Sequence, residues 1–354
     1  MGPKKSSAPA KAKPTQRQQK PDQIILSKRA NVLFIEHARV VQKDGRVLYL
    51  TKSKAELEGR LGDEQLKKQD LIEQYFNVPA QNTSLLMLGQ GTSITDSAAR
   101  MLADANVMVG FVGSGGSPMF CAADPVFLPP QSEYRPTEYM QAWVRMWIDD
   151  DKRLQLAKRF LKERLERAEY TWANNPDLPR RGIAISEQQL DRFETAIRKS
   201  QTTEDLLSAE GVWVKGLYQN LARGYKLDSF ARDERPGVRT TASATHSVVN
   251  GMLTHGNYIA YGFAAVALYA VGISYAMPVL HGKTRRGALV FDAADLFKDW
   301  TVLPLAFEMG CSGQEDQAYR NEIIGLMQEQ RLSAPGKKMS TIEVVIDTIK
   351  KCVL

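Results

Sequence analysis

The residue types best suited to metal-dependent chemistry lie close together around residue 290. Asp292 and Asp295 are three residues apart and therefore share one face of a helix, although their neighbours are nearly all apolar. Burying an uncompensated carboxylate is costly, so these acids need a positive partner. A divalent cation could supply it, with His281 as a further ligand, and so could salt bridges to Arg285 or Arg286. The spacing alone leaves both interpretations open.

A ligand set of carboxylates and imidazole with one position free for water is typical of Mg²⁺ or Mn²⁺ sites that act on phosphodiesters. Glu210 is a third acidic candidate because it lies in another apolar helical stretch, although a single Glu in a helix is usually solvated. His255 opens a long apolar helix. It could donate a hydrogen bond to a metal ligand, or it could belong to a polar helix start.

The positive charge of the chain is unevenly distributed. The 354 residues carry a formal net charge of +7, and residues 1–22 hold six Lys or Arg against one acid. This segment has no apolar stretch, so we expect a solvated basic tail. Net charge by itself is weak evidence for nucleic-acid binding, and any binding surface must be a local cluster of basic side chains.

The sequence also argues against several classes of protein. Three cysteines without a close pair favour a reducing cytoplasm over a disulfide framework. Residues 258–280 carry no charge, but they are rich in Ala and Tyr and contain Gly272 and Pro278, which favours a buried helix over a membrane span. Gly89 and Gly91 precede a helix as in phosphate-binding loops, but the third glycine and the P-loop lysine are missing, so a tight turn is the better interpretation.

The elements that must position these residues change character near residue 130. Before it, β-branched and aromatic runs predict strands, and Asp44 and Gly45 separate two of them as in a β-hairpin. Ser93 is a candidate N-cap for a short helix within this part. After residue 130, apolar residues recur at helical spacing. Residues 54–75 are charge-dense and receive no functional assignment.

Five segments carry a specific combination of motifs. They are SKRAN at 27–31, GTSIT at 91–95, PQSEYRPTEY at 130–139, HGNY at 255–258 and the whole of 281–295. Together they resemble the CRISPR-associated integrases of spacer acquisition, the first of the adaptation proteins, in their type I-F form. The resemblance covers the chain from about residue 26 to its end.

This resemblance implies an α+β fold with two domains. We expect a disordered basic tail at 1–22, a β-sandwich dimerisation domain at 23–128 and a larger α-helical catalytic domain at 129–354. The resemblance assigns Glu210, His281 and Asp295 as ligands of Mg²⁺ or Mn²⁺. It assigns Asp292 as a further acidic residue of the same catalytic site.

The activity implied by the resemblance is insertion of short DNA duplexes into a CRISPR array, by attack of a DNA 3′-hydroxyl on phosphodiesters of the repeat. The implied partners are double-stranded DNA, a second copy of the chain and the second adaptation protein, which is fused to the helicase-nuclease in type I-F. Lys283, Arg285 and Arg286 would hold DNA phosphates independently of sequence. No membrane partner is expected, and the expected location is the prokaryotic cytoplasm.

Two other functions use the same residues differently. A DNA-repair or junction-cleaving metal nuclease would share the site but use water as the attacking group. A non-catalytic DNA-binding scaffold would leave Glu210, His281 and Asp295 dispensable.

Overall fold

The computed structural model describes residues 28–29, 31–51, 75–113, 119–123, 137–228, 230–232, 244–282 and 287–353. The predicted tail at 1–22, nearly all of the charged stretch 54–75 and the predicted domain boundary after residue 128 lie outside these ranges.

The first part of the chain consists of strands and one helix. In chain order these are β1 (Asn31–Ile35), β2 (Ala38–Lys43), β3 (Arg46–Thr51), β4 (Tyr75–Val78), β5 (Thr83–Leu88), β6 (Ser93–Ile94), α1 (Asp96–Asp104), β7 (Met108–Val112) and β8 (Met119–Ala123). Within the described residues the strands form two four-stranded sheets, ordered β1-β5-β7-β8 and β4-β3-β2-β6. In the first sheet β1, β5 and β7 are parallel, and β8 is antiparallel to β7.

The predicted hairpin forms between β2 and β3. These strands are antiparallel, with Lys43 opposite Arg46. Asp44 and Gly45 both have positive φ, 50° and 71°. Two-residue turns of this kind match the twist of the flanking strands, so the Asp-Gly signal is confirmed.

The glycine-containing segment before α1 forms a turn and then a short strand. Gly91 has a φ of 69°, as the predicted tight turn requires. The predicted N-cap is wrong, because Ser93 pairs with Arg39 of β2 and so belongs to β6. Thr95 caps α1 instead, and its hydroxyl accepts a hydrogen bond from the Ala98 N–H at 3.3 Å.

Strand β5 is buried along its whole length and connects two apolar cores. Leu86 and Leu88 pack with Val40 in the core between the sheets. Leu85 and Met87 point to the opposite face and pack in the core of the helical part. The first sheet therefore lies between the second sheet and the helices, which explains why β5 is a continuous apolar run.

The second part of the chain is mainly helical. Its helices are α2 (Glu138–Trp147), α3 (Asp150–Ala173), α4 (Glu187–Lys199), α5 (Thr203–Gly224), α6 (Ala244–Ala270), α7 (Leu289–Lys298), α8 (Val302–Cys311), α9 (Asp316–Gln328) and α10 (Thr341–Val353). An antiparallel pair, β9 (Arg331–Ala334) and β10 (Lys337–Met339), lies between α9 and α10. The predicted α+β class is confirmed, with this hairpin as an addition that the sequence did not predict.

Helix α6 is the central element of the helical part. It packs against α7, α8, α9 and α10 and is buried over most of its length. The prediction of a buried helix is therefore confirmed over the segment that ends at Ala270. Across the residues that the structure describes, no helix combines the length and the apolar content that crossing a bilayer requires.

Candidate metal centre

Three side chains from separate elements converge in the helical part. Glu210 lies in α5, His281 in the loop between α6 and α7, and Asp295 in α7. Each offers one ligand atom, and these atoms all lie within 4.8 Å of one another. Glu210 Oε2 and His281 Nε2 are 3.7 Å apart. We call these three residues the ligand cluster.

The position of Glu210 follows from the pattern of α5. The helix begins with a capping box in which the side chains of Thr202 and Asp205 each accept a hydrogen bond from the other's backbone N–H. Leu206 and Trp213 are buried, and Glu210 lies four residues after the first and three before the second. Helical periodicity therefore puts this carboxylate on the inward face of α5 rather than in solvent.

Asp292 binds the loop that carries His281. Its Oδ2 accepts hydrogen bonds from the N–H groups of Val279 at 2.7 Å and Leu280 at 3.1 Å. Its Oδ1 accepts from the N–H of His281 at 3.1 Å and lies 2.6 Å from His281 Nδ1. The side chain of Asp292 is only 1% exposed. This predicted site residue therefore fixes the position of His281.

The contact with Asp292 determines the tautomer of His281. An ionised carboxylate only accepts hydrogen bonds, so the proton is assigned to Nδ1. The lone pair of a neutral imidazole then lies on Nε2, the atom that faces Glu210. This arrangement is typical of histidines that bind metal through one nitrogen and donate to a carboxylate through the other.

Two cations, the buried Arg164 and the partly buried Lys298, contact the carboxylates of the ligand cluster. Arg164 Nη1 donates to Glu210 Oε1 at 2.6 Å and lies 3.7 Å from Asp295 Oδ2. Lys298 Nζ forms an ion pair with Asp295 Oδ1. Arg164 also forms a two-point contact with Asp299. The sequence analysis predicted none of these three partners, Arg164, Lys298 and Asp299.

The pKa values of the two carboxylates in the ligand cluster, Glu210 and Asp295, are shifted in opposite directions. Burial and the charge of Asp295 raise the pKa of Glu210, although Arg164 and His281 act in the opposite sense. Burial also works to raise the pKa of Asp295, but Lys298 and Arg164 outweigh it and hold that pKa well below its usual range. Asp295 is therefore the firmly ionised carboxylate of the pair.

The pKa of His281 reflects the acidic surroundings. Burial works to lower this pKa, but the hydrogen bond to Asp292 and the charges of Asp295 and Glu210 raise it above the usual value. These are the same interactions that favour a bound cation at Nε2. A metal ion bound at this nitrogen would therefore have to compete with a proton.

The donor set and the charge balance fit a divalent cation. The described residues of the site contribute four carboxylates (Glu210, Asp292, Asp295 and Asp299) and two cations (Arg164 and Lys298). With Glu210 ionised and the imidazole neutral, these described residues carry two negative charges in excess, and one divalent cation would balance them. The ligand atoms are carboxylate oxygens and one imidazole nitrogen, both of which are common ligands of divalent ions.

Four predicted site residues remain, three of them basic and one a histidine. Lys283, Arg285 and Arg286 fall outside the described residues. His255 lies within α6, and its Nδ1 is buried without a hydrogen-bond partner. Burial lowers its pKa, and the charges acting on it are Asp316 and Arg320 of α9. Its role as a donor to a metal ligand stays a prediction.

The fold and the site together define a class of protein: a sandwich of two sheets joined to a helical part that holds a buried carboxylate–histidine cluster suited to a divalent ion. The family described as CRISPR associated protein Cas1 matches residues 41–333. The chain belongs to this family, and the family that its motifs resemble is confirmed.

Individual relatives agree with this membership. The CRISPR-associated endonuclease Cas1 of Pectobacterium atrosepticum is 39% identical over 314 residues, which cover 86% of this chain and 89% of that protein. The corresponding protein of Pseudomonas aeruginosa is 39% identical over 335 residues, covering 92% and 94%. A casposase solved bound to its integration product is 15% identical, with a TM-score of 0.67 over 90% of both chains, and shares the fold.

Proposed function

We propose that this chain is a metal-dependent DNA integrase and endonuclease. It inserts short DNA duplexes into a CRISPR array by attack of their 3′-hydroxyls on phosphodiesters of the repeat. The observation that carries this proposal is the ligand cluster, in which Glu210, His281 and Asp295 meet within 4.8 Å in a Cas1-family chain. The relatives named as CRISPR-associated endonucleases, and the related casposase bound to an integration product, support the same chemistry.

In this proposal each side chain of the site has a distinct role. Glu210, His281 and Asp295 hold the Mg²⁺ or Mn²⁺ ion, and Asp292 keeps His281 in the tautomer that leaves Nε2 free. A divalent ion held here would polarise a phosphate oxygen of the DNA and make the attacking hydroxyl easier to deprotonate. His281 is the most exposed ligand, with 24% of its side chain accessible, so DNA approaches from its side.

The reaction is a transesterification. One P–O bond forms to the incoming 3′-oxygen while the bond to the repeat's own 3′-oxygen breaks, so the number of phosphodiesters is conserved. The reaction therefore needs no covalent protein intermediate and no energy cofactor. With water as the attacking group, the same residues catalyse hydrolysis, which accounts for nuclease activity.

The proposed DNA contacts outside the ligand cluster are Lys283, Arg285 and Arg286, which lie two to five residues after His281 in sequence. Contacts to phosphates are independent of base sequence, as an enzyme that accepts foreign DNA requires. The second half of the proposal concerns the assembly. The chain forms a homodimer and belongs to a type I-F system. It works in the prokaryotic cytoplasm with the second adaptation protein, which is fused to the helicase-nuclease.

Dimerisation through residues 23–128 is supported by the second sheet. Within the described residues β4 is an edge strand of this sheet, and its Phe76 is 41% exposed and stacks on Tyr49 with ring centroids 5.1 Å apart. An edge strand with an exposed aromatic side chain is suited to pairing with another chain.

The experiment that tests the proposal separates joining from hydrolysis. The protein is incubated with its adaptation partner, a supercoiled array plasmid and a short duplex ending in either 3′-hydroxyl or 3′-dideoxy groups. We expect metal-dependent joined half-site products from the hydroxyl duplex and none from the dideoxy duplex. Metal-dependent nicking that is equal with both duplexes and yields no joined product would indicate a nuclease of the repair or junction-cleaving type.

Variants of the ligand cluster complete this test. Glu210→Ala, His281→Ala and Asp295→Ala are each expected to abolish joining in protein that remains folded and dimeric. The control is Glu187→Ala, which removes an exposed carboxylate at the start of α4. If the three variants retain full activity, the ligand cluster is dispensable and the proposal is wrong.

A further inference from the structure

The side chain of Arg164 connects the ligand cluster to a second carboxylate deeper in the protein. Its Nε and Nη2 donate to Asp299 Oδ2 and Oδ1 at 2.7 and 2.8 Å. Its remaining nitrogen, Nη1, donates to Glu210 Oε1 at 2.6 Å. Arg164 is 3% exposed and Asp299 is 1% exposed. The planar guanidinium is therefore held at two points and presents its third nitrogen to Glu210.

Asp299 is itself fixed by two tryptophans. Trp213 Nε1 donates to Asp299 Oδ2 at 2.9 Å, and Trp172 Nε1 donates to the backbone oxygen of Asp299 at 2.9 Å. These residues lie in α5 and α3, and Asp299 follows the last residue of α7. The network thus joins the three helices that surround the ligand cluster.

The network determines which oxygen of Glu210 is available. Arg164 binds Oε1, so Oε2 is the oxygen that faces His281 Nε2, at 3.7 Å. A glutamate side chain has several rotatable bonds, and ordering it carries an entropic cost. Contacts that orient a metal ligand before the metal arrives reduce that cost, and their loss typically weakens metal binding by about 10–100-fold.

We propose that Arg164, held by Asp299, is a positioning residue that orients Glu210 for divalent-metal binding. This inference rests on the proposed function, because it assumes that Glu210 is a metal ligand. It goes further by assigning a role to two buried residues that touch neither metal nor DNA in that proposal.

If Arg164 acts through its charge, it weakens metal binding, whereas if it acts by orienting Glu210, it strengthens metal binding. A positive charge so close to the ligand cluster repels a cation, so a residue acting through charge alone would weaken metal binding, and its neutralisation would strengthen it. A positioning residue acts through its fork-shaped contact, which lysine cannot reproduce. Arg164→Lys keeps the charge and removes the two-point contact with Asp299, and therefore isolates the geometric effect.

Helix α3, which carries Arg164, also offers a matched control. Arg167 lies one turn further along α3, is 2% exposed, and pairs with Glu163 and Asp347 at 3.1 and 2.9 Å. Neither of these acids belongs to the ligand cluster or to its network. Arg167→Lys therefore imposes a comparable loss of packing and hydrogen bonding on α3 without disturbing Glu210.

The test is Mn²⁺ titration of the full-length protein by calorimetry and electron paramagnetic resonance, together with the Mn²⁺ dependence of strand transfer. We expect Arg164→Lys to weaken Mn²⁺ binding by at least about tenfold, whereas Arg167→Lys stays within about twofold of the unsubstituted chain. Unchanged affinity in Arg164→Lys, or an equal loss in Arg167→Lys, would overturn the inference.

Two further measurements keep the outcome decisive. If Arg164→Lys does not fold, Trp213→Phe replaces it, because this substitution removes one donor to Asp299 and keeps an aromatic ring against Phe193. We expect a loss of Mn²⁺ affinity of about threefold there, and unchanged affinity would refute the inference. Absence of Mn²⁺ binding or strand transfer in the unsubstituted chain would instead refute the proposed function itself.

Discussion

Replacing Asp292 by Asn tests whether its carboxylate holds His281 and the loop before α7 in position. The carboxylate accepts four hydrogen bonds, two at each oxygen: Val279 and Leu280 donate to Oδ2, and the backbone N–H and Nδ1 of His281 to Oδ1. Asparagine has nearly the same shape but keeps only one accepting oxygen. Whichever way the amide is oriented, two of the four donors then face an NH₂ group.

The cost follows from this count. A buried donor without an acceptor costs about 1–3 kcal/mol, so Asp292→Asn is expected to lower the free energy of unfolding by about 2–6 kcal/mol when the NH₂ group faces Val279 and Leu280, and by about 1–3 kcal/mol when it faces His281, because Nδ1 can then accept from it. In the orientation that faces NH₂ towards His281, Nδ1 becomes an acceptor and the proton moves to Nε2. That tautomer cannot bind a metal through Nε2, so metal affinity or activity should also fall by about 10–100-fold.

Two assays measure these effects separately. Urea denaturation of the metal-free protein, followed by tryptophan fluorescence, gives the change in unfolding free energy. Strand transfer at a temperature where the variant remains folded gives the activity. Asp205→Asn, at an exposed capping position of α5, is the control and should show a smaller loss. A stability loss below about 1 kcal/mol together with full activity would refute the assigned role of Asp292.

Three further predictions address other parts of the chain. Burial works to raise the pKa of Asp347, but the hydrogen bonds and charges of Lys351 and Arg167 together outweigh it, so the pKa lies below its ordinary value of 3.8. Its stabilising effect is therefore present above about pH 4 and lost as the pH falls further, so Asp347→Asn should flatten the acid side of a stability–pH profile measured by urea denaturation. Gly256→Ala should destabilise the protein by about 1–3 kcal/mol in thermal melts, because a Cβ there would lie 2.2 Å from a buried tyrosine hydroxyl, whereas Gly251→Ala, with open space around it, should be neutral or stabilising. Lys283→Gln should lower the slope of log K against log salt for duplex DNA by about 0.9 with little change in melting temperature; a large melting loss with an unchanged slope would indicate a structural ion pair instead.

Local sequence signals account for much of the fold. The Asp-Gly turn predicts the hairpin, and the apolar runs before residue 130 predict strands such as the buried β5, because both signals depend on neighbours a few residues away. Ser93 shows the limit of such signals. Its pairing with Arg39 in β2 depends on a contact between distant segments, which a capping pattern does not report.

In the candidate site, too, local sequence signals predict some features, and contacts between distant segments determine the others. The spacing of Asp292 and Asp295 within apolar sequence indicates buried acids, and the structure has both of them buried. Glu210 could not be separated from a solvated residue by its own surroundings, and only the family resemblance identified it. Its actual partner, Arg164, is 46 residues away in sequence.

Arg164 did leave a signal that sequence reasoning missed. It lies at helical spacing among the buried residues of α3, three residues after Leu161 and four before Ala168. A charged residue within an apolar stripe needs a buried partner. The pattern does not identify that partner, because Asp299 is 135 residues away and meets Arg164 only in the folded chain.

The most direct test of the central claim is the location of the metal. Crystals of the protein soaked with Mn²⁺ should show one anomalous scattering peak about 2.0–2.3 Å from a carboxylate oxygen of Glu210, from Nε2 of His281 and from a carboxylate oxygen of Asp295. The peak should be absent in Glu210→Ala crystals treated identically. A strong Mn²⁺ peak elsewhere in the chain, with none among these three residues, would contradict the account.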